Sequence, residues 1–111
     1  MATIPGAESA YVDRSKVTDY LLSMTHPDGR SKAEFLSRFG FTVEISDVLI
    51  AALLEIARRD DIVEIVESNF GKRYVVDGWL QSPDGRRPMI RTVWIIETGQ
   101  LAPRFVTAYP P

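Results

Sequence analysis

The chain has 111 residues, 45% of them hydrophobic and 25% charged, the proportions of one small globular domain rather than two. It contains no cysteine, which excludes disulfides, thiolate zinc sites, iron–sulfur clusters and thiol catalysis. The formal net charge is -2, from 13 Lys+Arg against 15 Asp+Glu, and as an average that balance argues against a polyanion ligand.

Met1 to about Arg14 carries Pro5, Gly6 and small or polar residues without periodicity. It reads as a flexible lead-in, residues 1–14, before a single domain of residues 15–111. Met1 to Ala10 has neither a basic nor an apolar stretch of the signal-peptide kind, and no apolar run reaches membrane-span length, so a cytoplasmic protein with no membrane contact is expected. Lys16 to Leu22 places Val17, Tyr20 and Leu21 at helical spacing and predicts one or two turns. His26-Pro27-Asp28-Gly29 is a turn. Ser31-Lys32-Ala33-Glu34 fits a capping box, predicting a helix to about Phe39 with Phe35, Leu36 and Phe39 inward and Gly40 as its left-handed stop. Ser46 is expected to cap a longer helix to about Arg59, with Val48, Leu49, Ala52, Leu53 and Ile56 on its apolar face.

The period then changes. Ile62 to Glu67, Arg73 to Gln81, Arg87 to Glu97 and Pro103 to Tyr109 read as strands, with Ser82-Pro83-Asp84-Gly85 a hairpin signal. Two or three N-terminal helices packed on a four-stranded antiparallel β-meander make an α+β fold. The sheet face away from the helices is expected to be free for a site.

Charge is unevenly distributed. Residues 1–40 hold five basic and five acidic side chains, residues 41–70 two and seven, and residues 71–111 six and three. An acidic second helix and a basic sheet half follow from that reading. Arg91 lies inside the longest predicted strand and needs a partner, either an acid of the fold or an anionic ligand. His26 is either a loop residue or part of a phosphate site, because Lys32 and the free N–H groups of a helix start would lie beside it. No phosphate-binding glycine loop, nucleophile elbow or paired-histidine zinc motif occurs, so neither a metal nor a cofactor is expected. Asp60, Asp61, Glu64 and Glu67 read as a solvated end rather than a metal site, and Trp79 and Trp94 as core.

The order and spacing of several short motifs carry a resemblance. They are Lys16-x-x-x-Tyr20-Leu21-Leu22, His26-Pro27-x-Gly29-x-x-Lys32-Ala33-x-Phe35, Gly40-Phe41, Arg91-Thr92-Val93-Trp94 and Arg104-Phe105-Val106-Thr107-Ala108-Tyr109-Pro110. Over about residues 16–110 the chain resembles a small uncharacterised bacterial domain family that also forms the C-terminal domains of polymorphic toxins. The toxin forms resemble the barnase–EndoU–colicin–RelE group of metal-independent ribonucleases. Arg30 stands where the toxin forms usually have a second glycine.

The resemblance implies RNA as substrate, cleaved by attack of the ribose 2′-OH on the phosphodiester. On that reading His26 is the acid or base, Lys32 and Arg91 stabilise the phosphorane, and Thr107 and Tyr109 complete the catalytic set. Arg104 and Thr92 would hold substrate. Simple strand alternation puts Phe105, Thr107 and Tyr109 on one face and Arg104 on the other. The alternative is a non-catalytic protein-binding module of a toxin–antitoxin or mobile-element system. Its partner would be a cognate antitoxin or immunity protein meeting the acidic helix.

Overall fold

Helical segments fill the chain as far as Arg59 and strands fill it from Ile62 onward. The computed structural model describes residues 2–111. In chain order the elements are α1 (Arg14–Lys16) running into a π-helical turn (Val17–Leu21), α2 (Arg30–Ser37), α3 (Ser46–Arg59), and strands β1 (Ile62–Ser68), β2 (Gly71–Trp79), β3 (Met89–Glu97) and β4 (Arg104–Tyr109). The strands pair antiparallel in the order β1-β2-β3-β4, the expected meander. Leu21, Leu36, Leu49, Leu53 and Ile56 pack against Val76, Leu80, Ile90, Trp94 and Phe105 in one core. No helix of the described residues is long and apolar enough to cross a membrane.

The lead-in differs from expectation. Residues 2–14 are part of the body: Ile4, Ala7 and Ala10 are buried. Tyr11 adds a short bridge to the outer edge of β4, its N–H donating to the Pro103 carbonyl at 3.0 Å and its carbonyl accepting from Phe105 N–H at 3.0 Å. A segment can pack without periodicity when its backbone finds partners on a sheet edge and small side chains fill what remains.

Neither serine cap forms. α2 starts at Arg30, so Ser31 lies within it, and Glu34 turns to Arg30 Nε at 3.2 Å. Ser46 is the first residue of α3 rather than its cap. It is buried, follows a 3₁₀ turn (Val43–Ile45), and its Oγ accepts from Arg14 Nη1 at 2.9 Å. Val48 is exposed, because the inward face of α3 falls on Leu49, Ala52, Leu53, Ile56 and Ala57. Gly40 ends the α2 segment at φ +96°, the left-handed stop expected of it.

Within the sheet three expectations change. β3 begins at Met89, so Ser82–Gly85 turns inside a longer loop, residues 80–88, which docks on the end of α2. There Asp84 N–H donates to the Phe39 carbonyl at 3.3 Å, and the Arg86 guanidinium lies 4.6 Å from the Phe39 ring centroid. Trp94 is core, but Trp79 is 58% exposed. Its neighbour Gly78 takes the inward place, where a Cβ would meet Ile56 Cγ2 at 3.0 Å. Finally, the pairing of β3 with β4 shifts between Val93 and Trp94. This bulge at Val106 sends both Phe105 and Ala108 into the core and leaves Thr107 and Tyr109 on the other side.

Candidate functional site

An open pocket of about 590 Å³ lies between the first helical segment and β4, lined by Ser15, Lys16, Asp19, Tyr20, His26, Asp28, Val106 and Thr107. Tyr20 is its centre. The π-helical turn, in which Leu22 N–H reaches back to the Val17 carbonyl at 2.9 Å, buries Val17 and Leu21 and leaves Tyr20 half-buried between them. Such widened turns re-aim a side chain without ending the helix. The Tyr20 hydroxyl lies 3.1 Å from Thr107 Oγ1, tying the turn to β4.

Three cationic or ionisable side chains surround that ring. Lys16 Nζ and Lys32 Nζ each lie 5.4 Å from its centroid, within the range of cation–π attraction. The His26 ring meets it edge-on at 5.0 Å. Lys32 also donates to the Asp28 carbonyl at 3.1 Å, which holds its ammonium over the turn.

His26 is held by its own turn. Its Nδ1 accepts from Asp28 N–H at 3.0 Å and from Gly29 N–H at 3.1 Å, and its carbonyl accepts from Arg30 N–H at 3.0 Å. The imidazole therefore caps the chain entering α2, the part a Ser or Asp side chain usually plays. Two amide donors on Nδ1 assign the ring proton to Nε2, which has no hydrogen-bond partner among the described residues. The turn packs tightly on the preceding one: a Cβ at Gly29 would lie 2.0 Å from the Tyr20 carbonyl oxygen. His26 thus takes the N–H groups of Asp28 and Gly29, just ahead of α2, and its carbonyl takes that of Arg30.

The remaining candidates lie elsewhere. Arg91 stands opposite Asp77 and Tyr109 on the outer sheet face. It makes a forked pair with Asp77, Nε to Oδ1 at 2.8 Å and Nη2 to Oδ2 at 2.9 Å. The hydrogen bonds and charge of Asp77 hold the guanidinium proton more firmly than usual. Of the two partners the sequence left open for Arg91, the acid of the fold is the one present. Tyr109 is exposed beside this pair. Arg104 Nε donates to Glu97 at 3.0 Å. Thr92 is fully buried, its hydroxyl donating to the Val76 carbonyl at 2.8 Å and accepting from Trp94 Nε1 at 2.9 Å, so no ligand reaches it.

The structure thus gathers His26, Lys32 and Thr107 around Tyr20, while Arg91, Tyr109, Arg104 and Thr92 do not line that pocket. Sequence reasoning missed Tyr20, Lys16, Asp19 and Asp28 as lining residues. The i, i+4 spacing of Lys16 and Tyr20 was the available signal, since it puts both on one helical face.

Among solved structures, one described as a contact-dependent growth inhibition toxin–immunity protein complex from Klebsiella pneumoniae 342 has a chain similar to this one. The two share 16% identity over 96% of this chain and 97% of that chain, with a TM-score of 0.75, which is a likeness of fold. No curated protein matches the sequence. Residues 3–111 match the model of a family described as a domain of unknown function, DUF6883.

Proposed function

The chain belongs to the DUF6883 family, and from that premise and the Tyr20 pocket we propose that it is a toxin-type domain that binds RNA and cleaves its backbone without a metal ion. One observation carries the reading. His26, with an unpartnered Nε2–H, shares an open pocket with Tyr20, Thr107 and Lys16, and Lys32 flanks the same Tyr20 ring. The fold likeness to a chain of a toxin–immunity complex supports the same direction.

In this reading His26 is a hydrogen-bond donor to a phosphate oxygen rather than the acid or base. To deliver a proton the ring would need one on Nδ1 as well, and would then give up both amide contacts. A neutral imidazole used as an electrophile is established chemistry. The carboxylates lining the pocket, Asp19 and Asp28, are the groups able to take the 2′-OH proton. The 2′-oxygen then attacks phosphorus and the bond to the 5′-oxygen breaks. Lys16, Lys32 and the Tyr20 hydroxyl are the groups that can return a proton to that leaving oxygen. Lysine charge beside the pocket stabilises the phosphorane.

The test is incubation of the purified protein with tRNA and mRNA in EDTA, with product ends analysed for 2′,3′-cyclic phosphate. Wild-type cleavage that falls about 100-fold in both His26→Asn and Lys32→Ala is expected. No cleavage, or equal cleavage by the variants, overturns the assignment. A second reading, a non-catalytic partner-binding module of the toxin–immunity kind, is favoured by the internal engagement of Arg91 and Arg104, which commits both guanidinium groups to carboxylates of the fold. Absence of toxicity on induction, with a stable co-purifying partner, is its signature.

A further inference from the structure

One edge of the sheet is left largely open among the described residues, and its chemistry is one-sided. Tyr11 covers the start of β4. On the other side β1 is the last strand. Beyond Ile62, whose N–H donates to the Ala2 carbonyl at 2.9 Å, no further segment of the described residues pairs with it. An edge of this kind is a template for pairing with another chain, and proteins usually blunt it with lysine or proline. β1 has neither. It reads Ile-Val-Glu-Ile-Val-Glu-Ser, with Val63 54% and Ile65 53% exposed, and Phe70 is 75% exposed at the β1–β2 turn.

The charges along this edge are all of one sign. Residues 60–68 hold Asp60, Asp61, Glu64 and Glu67 and no basic side chain. Asp60 is engaged by Arg59 at 3.0 Å and Glu67 only distantly by Lys72 at 3.8 Å, while Asp61 and Glu64 have no salt bridge among the described residues. We propose that the open edge of β1 docks an extended segment of a partner protein that carries a basic side chain at every third position among apolar ones, adding a fifth strand to the sheet. Main-chain pairing along β1 would supply affinity, and basic side chains meeting Glu64 on one face and Glu67 on the other would set specificity. The acids select the partner: β1 carries carboxylates and no cation, so a basic strand is attracted where an acidic one is repelled. This inference stands apart from the RNA reading, because β1 contributes nothing to the Tyr20 pocket.

The experiment uses the isotope-labelled full chain and three short synthetic peptides. One repeats lysine-valine-valine, one repeats glutamate-valine-valine, and the third is the basic peptide with alternate amides N-methylated. The basic peptide should shift and protect the amides of residues 63–67, and N-methylation should abolish that protection. Glu64→Lys/Glu67→Lys should weaken it about tenfold and transfer preference to the acidic peptide, while Glu64→Gln/Glu67→Gln should give an intermediate loss. RNA cleavage by these variants should equal that of the wild type, so failure of docking and failure of the nuclease reading are separate results. Perturbation confined to other surfaces, equal binding of the N-methylated peptide, or self-association of the wild type through β1 would each overturn the proposal.

Discussion

His26 does two jobs that one substitution would confuse. Its Nδ1 accepts two backbone N–H groups at the entry to α2, and its Nε2 faces no internal partner. Asparagine retains the capping oxygen and removes the second nitrogen. His26→Ala should therefore cost about 1 kcal/mol of stability and His26→Asn only a few tenths, while on the proposed function both should lower cleavage about 100-fold; paired urea melts and RNA assays separate the two roles. Thr92 shows the opposite case, a residue in a site-like motif with a wholly structural task. Thr92→Val leaves the buried Trp94 indole N–H without an acceptor and should destabilise by about 1–3 kcal/mol. Its activity per folded molecule should be unchanged. At this scale the sequence identified His26 and Lys32 by chemical type. It could not distinguish Thr92 from Thr107, because a threonine in a strand reads the same whichever face it takes.

Two turns carry the site and its setting. The Tyr20 and His26 turns approach so closely that Gly29, at an ordinary φ of -87°, is required by contact rather than by backbone angle. Gly29→Ala would force its methyl onto the Tyr20 carbonyl, so thermal melts should show a large loss of stability and the Tyr20–Thr107 link should be disturbed in NMR spectra. The loop of residues 80–88 depends on Asp84. The backbone N–H of Arg86, and then its guanidinium, hold the Asp84 carboxyl below its ordinary value. A lowered folded pKa means that this contribution is complete above the unfolded value of about 3.9 and is lost as pH falls through the folded one. The carbonyl contacts of the loop at Arg38 and Phe39 should loosen over that acid range, followed by amide shifts, and Asp84→Asn should remove the dependence. Helix and strand identities were legible from period alone. The Ser31 and Ser46 caps were not, because a capping motif states what a side chain is able to bond and not where the helix begins. The bulge at Val106 was equally hidden, since it is set by how β4 registers against β3.

Over the whole molecule, folding redistributes the charge that the linear segments suggested. The acidic stretch does not make an acidic helix: α3 carries Asp47 and Glu55 against Arg58 and Arg59, and four of the remaining acids lie at Asp60, Asp61, Glu64 and Glu67, in and just before β1. The basic sheet half is likewise balanced where Asp77 and Glu97 pair with Arg91 and Arg104. Salt dependence of RNA binding should therefore follow the pocket lysines. Lys16→Ala and Lys32→Ala should each reduce the slope of log affinity against log salt by about 0.7, and Arg104→Ala should leave it unchanged. By itself the sequence determined the α+β class, the order of elements, the meander and the separation of apolar from polar positions, because hydrophobic period and turn chemistry act over a few residues at a time. It also named His26, Lys32 and Thr107, which the fold unites. Only the tertiary structure decided that Tyr20 stands at their centre, that residues 2–14 complete the core, and that Arg91, Arg104 and Thr92 are spent on partners within the protein. Those outcomes rest on contacts between segments far apart in the chain, such as Tyr20 with Thr107 and Tyr11 with Phe105, where no local pattern records which groups will meet.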